Sequence, residues 1–239
     1  MENQDFNYRE LSAGQQLEVS EAFPVLMRKV YVWMTLALVI TGMTAYYVAT
    51  NEELLITILT NRPVFWGLII AELALVMGLS AAINRLSLLV ATLMFVIYSI
   101  INGATMSIIF LTYTAESIAT VFFITAGTFG AMALIGYTTK KDLSSIGRIL
   151  FMALIGLVIA TVVNIFLKSP GMTMILSYLG VIIFVGLTAW DSQKIKNMLI
   201  LAPDVDEATQ KIALLGSLTL YLDFVNLFLY LLRILGRRR

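Results

Sequence analysis

The sequence predicts an all-α membrane protein with seven transmembrane helices. Of its 239 residues, 59% are hydrophobic and only 13% are charged, whereas soluble domains carry about 25% charged residues. Seven apolar runs approach the length of about 20 residues that a helix needs to cross a bilayer. A water-soluble fold would lack the polar residues to cover its surface, so the lipid bilayer is the expected solvent.

The seven runs are joined by short connections, which indicates one membrane domain over residues 27–239. The runs are Val30–Ala49, Val64–Ile83, Leu86–Leu111, Ile118–Tyr137, Ile149–Leu167, Met172–Leu199 and Ile212–Leu235. The longest internal connection is expected between Ile200 and Gln210. Residues 1–26 are polar and of mixed charge, unlike a secretory signal, and are interpreted as a short soluble tail.

The composition excludes several kinds of site. The chain has no cysteine and no histidine, so it lacks disulfides, thiolate chemistry and the most common metal ligand. Its net charge is +1 and no basic stripe is interleaved with aromatic residues, so no nucleic-acid partner is expected. No phosphate-binding loop is present, which argues against active pumping. We expect no resident cofactor, and any proton sensing would fall to carboxylates.

The basic residues favour a cytoplasmic amino terminus. With that orientation, ten of them lie on the cytoplasmic side and two on the other side before the last helix, as the positive-inside rule requires. The ten are Arg9, Arg28, Lys29, Arg85, Lys140, Lys141, Arg148, Lys194, Lys196 and Lys211, and the two are Arg62 and Lys168. The carboxy-terminal arginines would lie outside if the last helix spans fully, which its length favours, and inside if it is re-entrant.

Three carboxylates lie within the apolar runs. Glu72 is near the middle of the second helix, Asp191 is in the sixth, and Asp223 is midway along the seventh. A carboxylate at this depth costs at least about 2.5 kcal/mol and is a functional candidate by default. Glu72 has an alternative role in packing, through a hydrogen bond to Ser or Asn on a neighbouring helix.

The two aspartates lie on consecutive antiparallel helices at depths that differ by about one helical turn. A tilt or a register shift would bring them together. Two carboxylates in a weakly solvated site cannot both ionise cheaply, so they would share a proton and titrate as a pair. Protonated, Asp191 and Asp223 would join the two helices through a hydrogen bond. Deprotonated, they would repel each other and offer oxygen ligands to a hard cation such as Ca²⁺.

Each aspartate also has a structural interpretation. Asp191 would pair with Lys194 or Lys196 in the next turn of its helix. Asp223 would hold a packing hydrogen bond with a polar side chain on its own helix. The candidates are Asn226, Tyr221 and Thr219.

Two segments resemble known motifs. Ser217–Leu229, together with Leu231-Leu232-Arg233, resembles the carboxy-terminal signature of the Bax inhibitor-1 family, also called the transmembrane Bax-inhibitor-motif family. Trp190–Ile195 resembles the sixth-helix motif of that family, and Glu72 falls where its members tend to carry a glutamate. The resemblance covers about Met27 to Arg233 and is closest to the bacterial branch.

The resemblance implies six helices around a central seventh one, in the inner (plasma) membrane of a bacterium. It also implies a pH-sensitive passive Ca²⁺ leak, gated by an aspartate pair that corresponds to Asp191 and Asp223. Some bacterial members end the second helix with a basic cluster, from which an arginine is suggested to contact the pair. Here only Arg85 is available for that role.

Two other functions are compatible with a pair of aspartates in membrane helices. An intramembrane aspartyl protease also uses two aspartates on adjacent helices, but it needs Gly-x-Gly-Asp at the second one, and Asp223 follows Tyr221-Leu222. We therefore expect that the protein is not an enzyme. The other rival is a regulator without transport, because bacterial relatives include a protein that restrains a membrane protease. Residues Met1 to about Pro24 would then form the contact with the protease.

Overall fold

The computed structural model describes residues 13–200 and 202–239, with side chains described from residue 21 onward. Within these residues the chain forms helices and no extended strand. The helices are α1 (Ala13–Thr50), α2 (Glu52–Thr60), α3 (Arg62–Ala82), α4 (Leu88–Met106), α5 (Ile109–Thr112), α6 (Ala115–Thr138), α7 (Ser144–Leu167), α8 (Pro170–Ile200) and α9 (Glu207–Leu235). Residues 1–12 of the predicted tail lie outside the described part.

Seven segments of the described chain are long and apolar enough to cross a membrane, which confirms the predicted fold class. They are Glu21–Thr50, Arg62–Ala82, Leu88–Thr112, Ala115–Thr138, Ser144–Leu167, Pro170–Ile200 and Glu207–Leu235. Each coincides with one predicted run to within a few residues, except that the first span begins at Glu21 rather than at Val30. The third span consists of α4 and α5, which are separated by a turn at Ser107.

The predicted boundary between residues 26 and 27 lies inside α1, where the helix is unbroken. Ala22 and Leu26 are buried in the hydrophobic core, and Phe23 packs against that core. The end of the predicted tail is therefore part of the membrane domain, because its apolar side chains have helices to pack against. That packing is not visible in the sequence, where charged residues surround these positions.

Polar side chains fix the helix ends outside the membrane. Asp206 is the N-cap of α9: its Oδ1 accepts the Thr209 N–H at 2.8 Å, and these hydrogen bonds lower the pKa of its carboxyl group. Asp142 Oδ1 accepts the Ser144 N–H at 2.8 Å before α7, and the Ser144 side chain and backbone together lower the pKa of the Asp142 carboxyl group. Asn61 caps α3 by accepting the Val64 N–H. These caps satisfy amide groups that a helix leaves unpaired at its first turn.

The connections define two faces of the helix bundle. At the amino face, Phe23 near the start of the first span stacks on Tyr137 at the end of α6, with ring centroids 6.1 Å apart. At the opposite face, which we call the far face, Arg238 forms an isolated antiparallel bridge with Tyr113. The helix α9 runs without a break from one face to the other, and it is long and apolar enough to span a membrane fully.

The last helix, α9, is the most buried of the seven spans. It packs against α8, α1, α6 and α4, and its large side chains Tyr221, Leu220 and Leu227 are inaccessible to solvent. By contrast, α3 and α7 expose most of their apolar surface, as expected of helices that face lipid. The prediction that six helices surround a central seventh one stays a prediction.

Small residues allow α8 to approach its neighbours closely. A Cβ atom added to Gly136 of α6 would collide with the backbone of Ala189, and one added to Gly180 would lie 2.7 Å from the Tyr230 ring of α9. In lipid, helices associate through such close van der Waals contact rather than through the hydrophobic effect. These two glycines therefore set how tightly α6 and α9 can pack on α8.

The contact at Gly136 gives a prediction for stability. We expect Gly136→Ala to lower the free energy of unfolding by about 1–3 kcal/mol, because an added methyl group overpacks the interface. Gly130→Ala on the same helix is the matched control, since a Cβ there meets nothing within 4 Å and alanine favours the helix. The measurement is thermal unfolding in detergent, and equal melting temperatures for the two variants would contradict this packing.

Candidate functional site

The register between α8 and α9 positions the predicted aspartates. Gly180 packs against Tyr230 at one end of the contact, and Ile195 packs against Gly216 toward the amino face. Asp191 and Asp223 lie between these two contacts, in antiparallel register. In this register Asp223 lies about one helical turn farther from the amino face than Asp191, which is the offset expected from the sequence, and the side chains reach across it.

Asp191 and Asp223 are both buried, with 7% and 5% of their surfaces exposed. Their carboxyl groups lie within hydrogen-bonding reach of each other. Among the described residues, the Asp223 Oδ2 atom is the single buried side-chain oxygen or nitrogen without a hydrogen-bond partner. Such an unsatisfied atom costs about 1–3 kcal/mol, so Asp223 is placed where it needs a proton or a cation.

The structural interpretation of Asp223 is wrong, because each suggested partner bonds elsewhere. The Asn226 amide donates to the Leu222 carbonyl at 2.8 Å, and the Thr219 hydroxyl donates to the Leu215 carbonyl at 3.1 Å. The Tyr221 hydroxyl donates to Asn102 on α4. Asp223 is thus left with Asp191 as its neighbour on the opposing helix.

The expected ion pair of Asp191 is also absent from the described part of the chain, whose one salt bridge joins Lys211 to Glu207. Lys194 instead lies over the Trp190 ring, 5.1 Å from its centroid. Lys196 donates to the Tyr137 carbonyl at 2.7 Å. Lys194 still acts on Asp191 through its charge, but it does not neutralise the carboxylate by direct contact.

The residues around Asp191 hold α8 to its neighbours, a role that the sequence analysis missed. The Gln193 side chain accepts the Leu143 N–H and donates to the Lys141 carbonyl, both at 2.8 Å. Ser192 donates to the Ala133 carbonyl of α6 at 2.8 Å. The polar residues that follow Trp190 were the available signal, since polar side chains inside a span usually have partners on other helices.

Glu72 belongs to a second polar cluster, on a different side of α9. Its Oε1 accepts the Thr105 hydroxyl at 2.7 Å, and the Asn102 side chain lies nearby. Asn102 in turn accepts the Tyr221 hydroxyl at 3.0 Å, and that hydroxyl lies 2.7 Å from Thr41 Oγ1. Tyr221 and Asp223 are two residues apart, so they point to roughly opposite sides of the helix.

We also expected three polar residues, Glu72, Asn226 and Arg85, to support the pair, but within the described residues none of them forms a hydrogen bond or an ion pair with it. Glu72 holds α3 to α4, as its packing interpretation expected, and Asn226 bonds within its own helix. Arg85 is exposed in the turn after α3 at the amino face and forms no ion pair within the described residues. Asp191 lies about 14 Å inward from the end of α8, too deep for a side chain anchored in that turn.

The geometry of the pair allows two chemical states. With one proton between them, the carboxyl groups form a hydrogen bond that joins α8 to α9. Without it, two like charges face each other in a weakly solvated site, where their repulsion is poorly screened. In that state the carboxylate oxygens can bind a hard cation. The site can therefore exchange a proton for a cation at a helix–helix contact.

Comparison with known proteins identifies the family. The family described as Inhibitor of apoptosis-promoting Bax1 matches residues 24–239. The inner membrane protein YbhL of Escherichia coli strain K12 is 54% identical over 214 residues, which cover 89% of this chain and 92% of that protein. An uncharacterized membrane protein of Streptococcus pyogenes serotype M1 is 40% identical over 187 residues, which cover 78% and 80% of the two chains. The chain is an integral multi-pass membrane protein that belongs to the Bax inhibitor-1 family.

Proposed function

We propose that this protein is a passive Ca²⁺ leak gated by a proton shared between Asp191 and Asp223. The observation that supports the proposal is the unpartnered Oδ2 atom of Asp223, buried beside a second carboxyl group. A purely structural carboxylate in a membrane would have its hydrogen bonds satisfied. This one has a partner only when a proton or a cation is bound.

In the closed state the shared proton joins α8 to α9. The contact is reinforced on both sides, because Gly180 admits the Tyr230 ring and Gly216 admits Ile195. Losing the proton replaces an attraction by a repulsion at the middle of this contact. The helices then separate locally, or a cation takes the place of the proton.

Ca²⁺ is the permeant ion in this proposal and not a resident cofactor. Ca²⁺ prefers about 6–8 oxygen ligands, and two carboxylates supply at most four. The described residues contain no group of three or more acidic, histidine or cysteine side chains that could hold a metal ion. The pair therefore suits a passing ion that keeps part of its water shell, and a weak site releases an ion more readily than a tight one.

The proposal places the protein in a bacterial inner membrane with its amino terminus in the cytoplasm. YbhL, to which the chain is similar, is named an inner membrane protein. With α9 fully spanning, the far face holds six of the described basic residues and the amino face holds nine. Counting the four arginines near the carboxy terminus makes the excess of basic residues at the amino face smaller than the excess counted before the last helix. The amino face still holds more basic residues, as a cytoplasmic amino terminus requires.

Catalysis is not part of the proposal. The pair lacks the glycine motif of intramembrane aspartyl proteases. The regulator of a membrane protease stays an alternative prediction, and its suggested contact falls largely on residues 1–20, whose side chains lie outside the described part. Ca²⁺ flux through the purified protein in vesicles separates the two functions, because a regulator without transport gives none.

Our first functional prediction concerns the pH dependence of Ca²⁺ efflux from proteoliposomes. For the wild type we expect efflux to rise several-fold between about pH 6 and about pH 8, because the shared proton is lost in that direction. In Asp223→Asn, efflux should stay low and independent of pH, since the amide donates a permanent hydrogen bond to Asp191. Asp191→Asn should flatten the profile in the same way.

Asp142→Asn is the control for these flux measurements. Asp142 is an exposed carboxylate whose side chain caps the start of α7, so its replacement should leave the wild-type profile in place. Wild-type profiles in both Asp191→Asn and Asp223→Asn would refute the proton gate. No efflux from any folded variant at any pH, the wild type included, would favour the regulator.

A second prediction concerns the proton itself. Infrared spectra of protein labelled with ¹³C-aspartate should show one protonated aspartate carboxyl band at neutral pH, because the buried pair holds a proton in common. The label distinguishes this band from any band of Glu72. The band should vanish in Asp223→Asn and persist in Asp142→Asn. A wild-type spectrum with every aspartate ionised at neutral pH would contradict the shared proton.

A further inference from the structure

An apolar cavity of about 90 Å³ lies between α1, α4, α5, α6 and α9, away from the carboxyl pair. Its floor is formed by Phe224, Val225 and Phe228 of α9, and its walls include Gly42 of α1 and Phe122 of α6. Nearly all of the lining surface is carbon. An apolar cavity of this kind stays free of water and accepts apolar guests.

The cavity lies within the hydrocarbon layer, on the side of the far face. Phe122 is seven residues from the start of α6, and Phe228 is seven residues from the end of α9. Both positions are about 10 Å inside the ends of their helices. Both α6 and α9 have one end at the far face, and both give the same depth for the cavity. This is the depth of the acyl chains in the far leaflet.

The cavity opens toward the lipid. Gly42 lies on the exposed surface of α1, and a Cβ atom added there would meet nothing within 4 Å. Phe122 is 39% exposed at the opposite rim. At the amino face the two walls converge, where Phe23 stacks on Tyr137. The missing side chain at Gly42 therefore leaves a lateral opening on one side of the bundle.

We propose that one acyl chain of a membrane phospholipid occupies this cavity. The occupant is defined by the surroundings, because acyl chains are the solvent at this depth and the one hydroxyl group of the lining, on Thr41, already bonds Ser99 and Tyr221. Between lipid and protein the attraction is van der Waals contact, not the hydrophobic effect. If the cavity were empty, its lining would lose these van der Waals contacts, and an inserted acyl chain restores them.

The occupied cavity would bring lipid to the helix turn that carries Asp223, since Phe224 and Val225 follow it directly. Phe224 also contacts Phe122 and Phe129 of α6, with ring centroids 5.4 Å away in each case. This binding site does not depend on the proposed Ca²⁺ leak. Its test uses binding alone, so either proposal can fail without the other.

The experiment uses the full chain in vesicles of phosphatidylcholine that carries a photoactivatable diazirine within one acyl chain. After illumination, labelled peptides are mapped by mass spectrometry. In the wild type we expect labelling concentrated on the α1 residues around Gly42 and on Phe122, above the level on the lipid-exposed surface of α7. In Gly42→Leu, labelling at Phe122 should fall about fivefold, because four side-chain carbons fill the opening.

Gly127→Leu is the matched control. Gly127 lies on the exposed surface of α6, where a Cβ also meets nothing within 4 Å, but it does not line the cavity. Labelling at the cavity should be unchanged in this variant. If Gly42→Leu fails to fold, Phe122→Ala replaces it: widening the opening should increase labelling around Gly42.

Four results would overturn the proposal. The first is equal labelling of Phe122 in the wild type and in Gly42→Leu. The second is wild-type labelling at the cavity that does not exceed the labelling on the exposed surface of α7. The third is an unlabelled cavity together with a dimer cross-linked through Gly42, which would assign the opening to a second copy of the chain. Unchanged labelling around Gly42 in folded Phe122→Ala counts against the proposal in the same way.

Discussion

The packing of α8 on α9 is the contact that determines the rest of this structure. It is the most extensive contact between two helices of the described chain, and it encloses the most expensive groups that the sequence places in lipid, Asp191 and Asp223. Its close approach depends on glycines at both ends of the carboxyl pair. In the proposed gate, a change in protonation is coupled to helix packing, because neither helix can move far without disturbing the pair.

The segment Trp190–Lys196 joins this contact to the neighbouring helices. Trp190 packs on Gly147 of α7, Ser192 bonds α6, and Gln193 holds the connection between those two helices. Asp191 is thus set in a part of α8 that is fixed on three sides.

The two polar clusters on α9 have different character. In the cluster around Glu72, hydroxyl and amide groups on α1, α3, α4 and α9 satisfy the carboxylate and one another, as is typical of structural hydrogen bonds in a membrane protein. At the aspartate pair one oxygen is left without a partner. Glu72 is half-buried and hydrogen-bonded, whereas Asp223 is buried and has an oxygen without a partner. This difference separates a packing element from a candidate functional site.

The sequence by itself determined the number of spans, their limits to within a few residues, the carboxylates within them and the family. Length and hydropathy suffice for this, because in lipid every backbone group must be paired inside its own helix. The sequence did not determine how the helices lie against each other. Only the tertiary structure placed Asp223 beside Asp191 and left an opening at Gly42. It also showed that Glu72, Asn226 and Arg85 do not bond the pair. The physical reason is that packing depends on which helix surfaces meet, whereas the hydropathy of a span is nearly the same on all its sides.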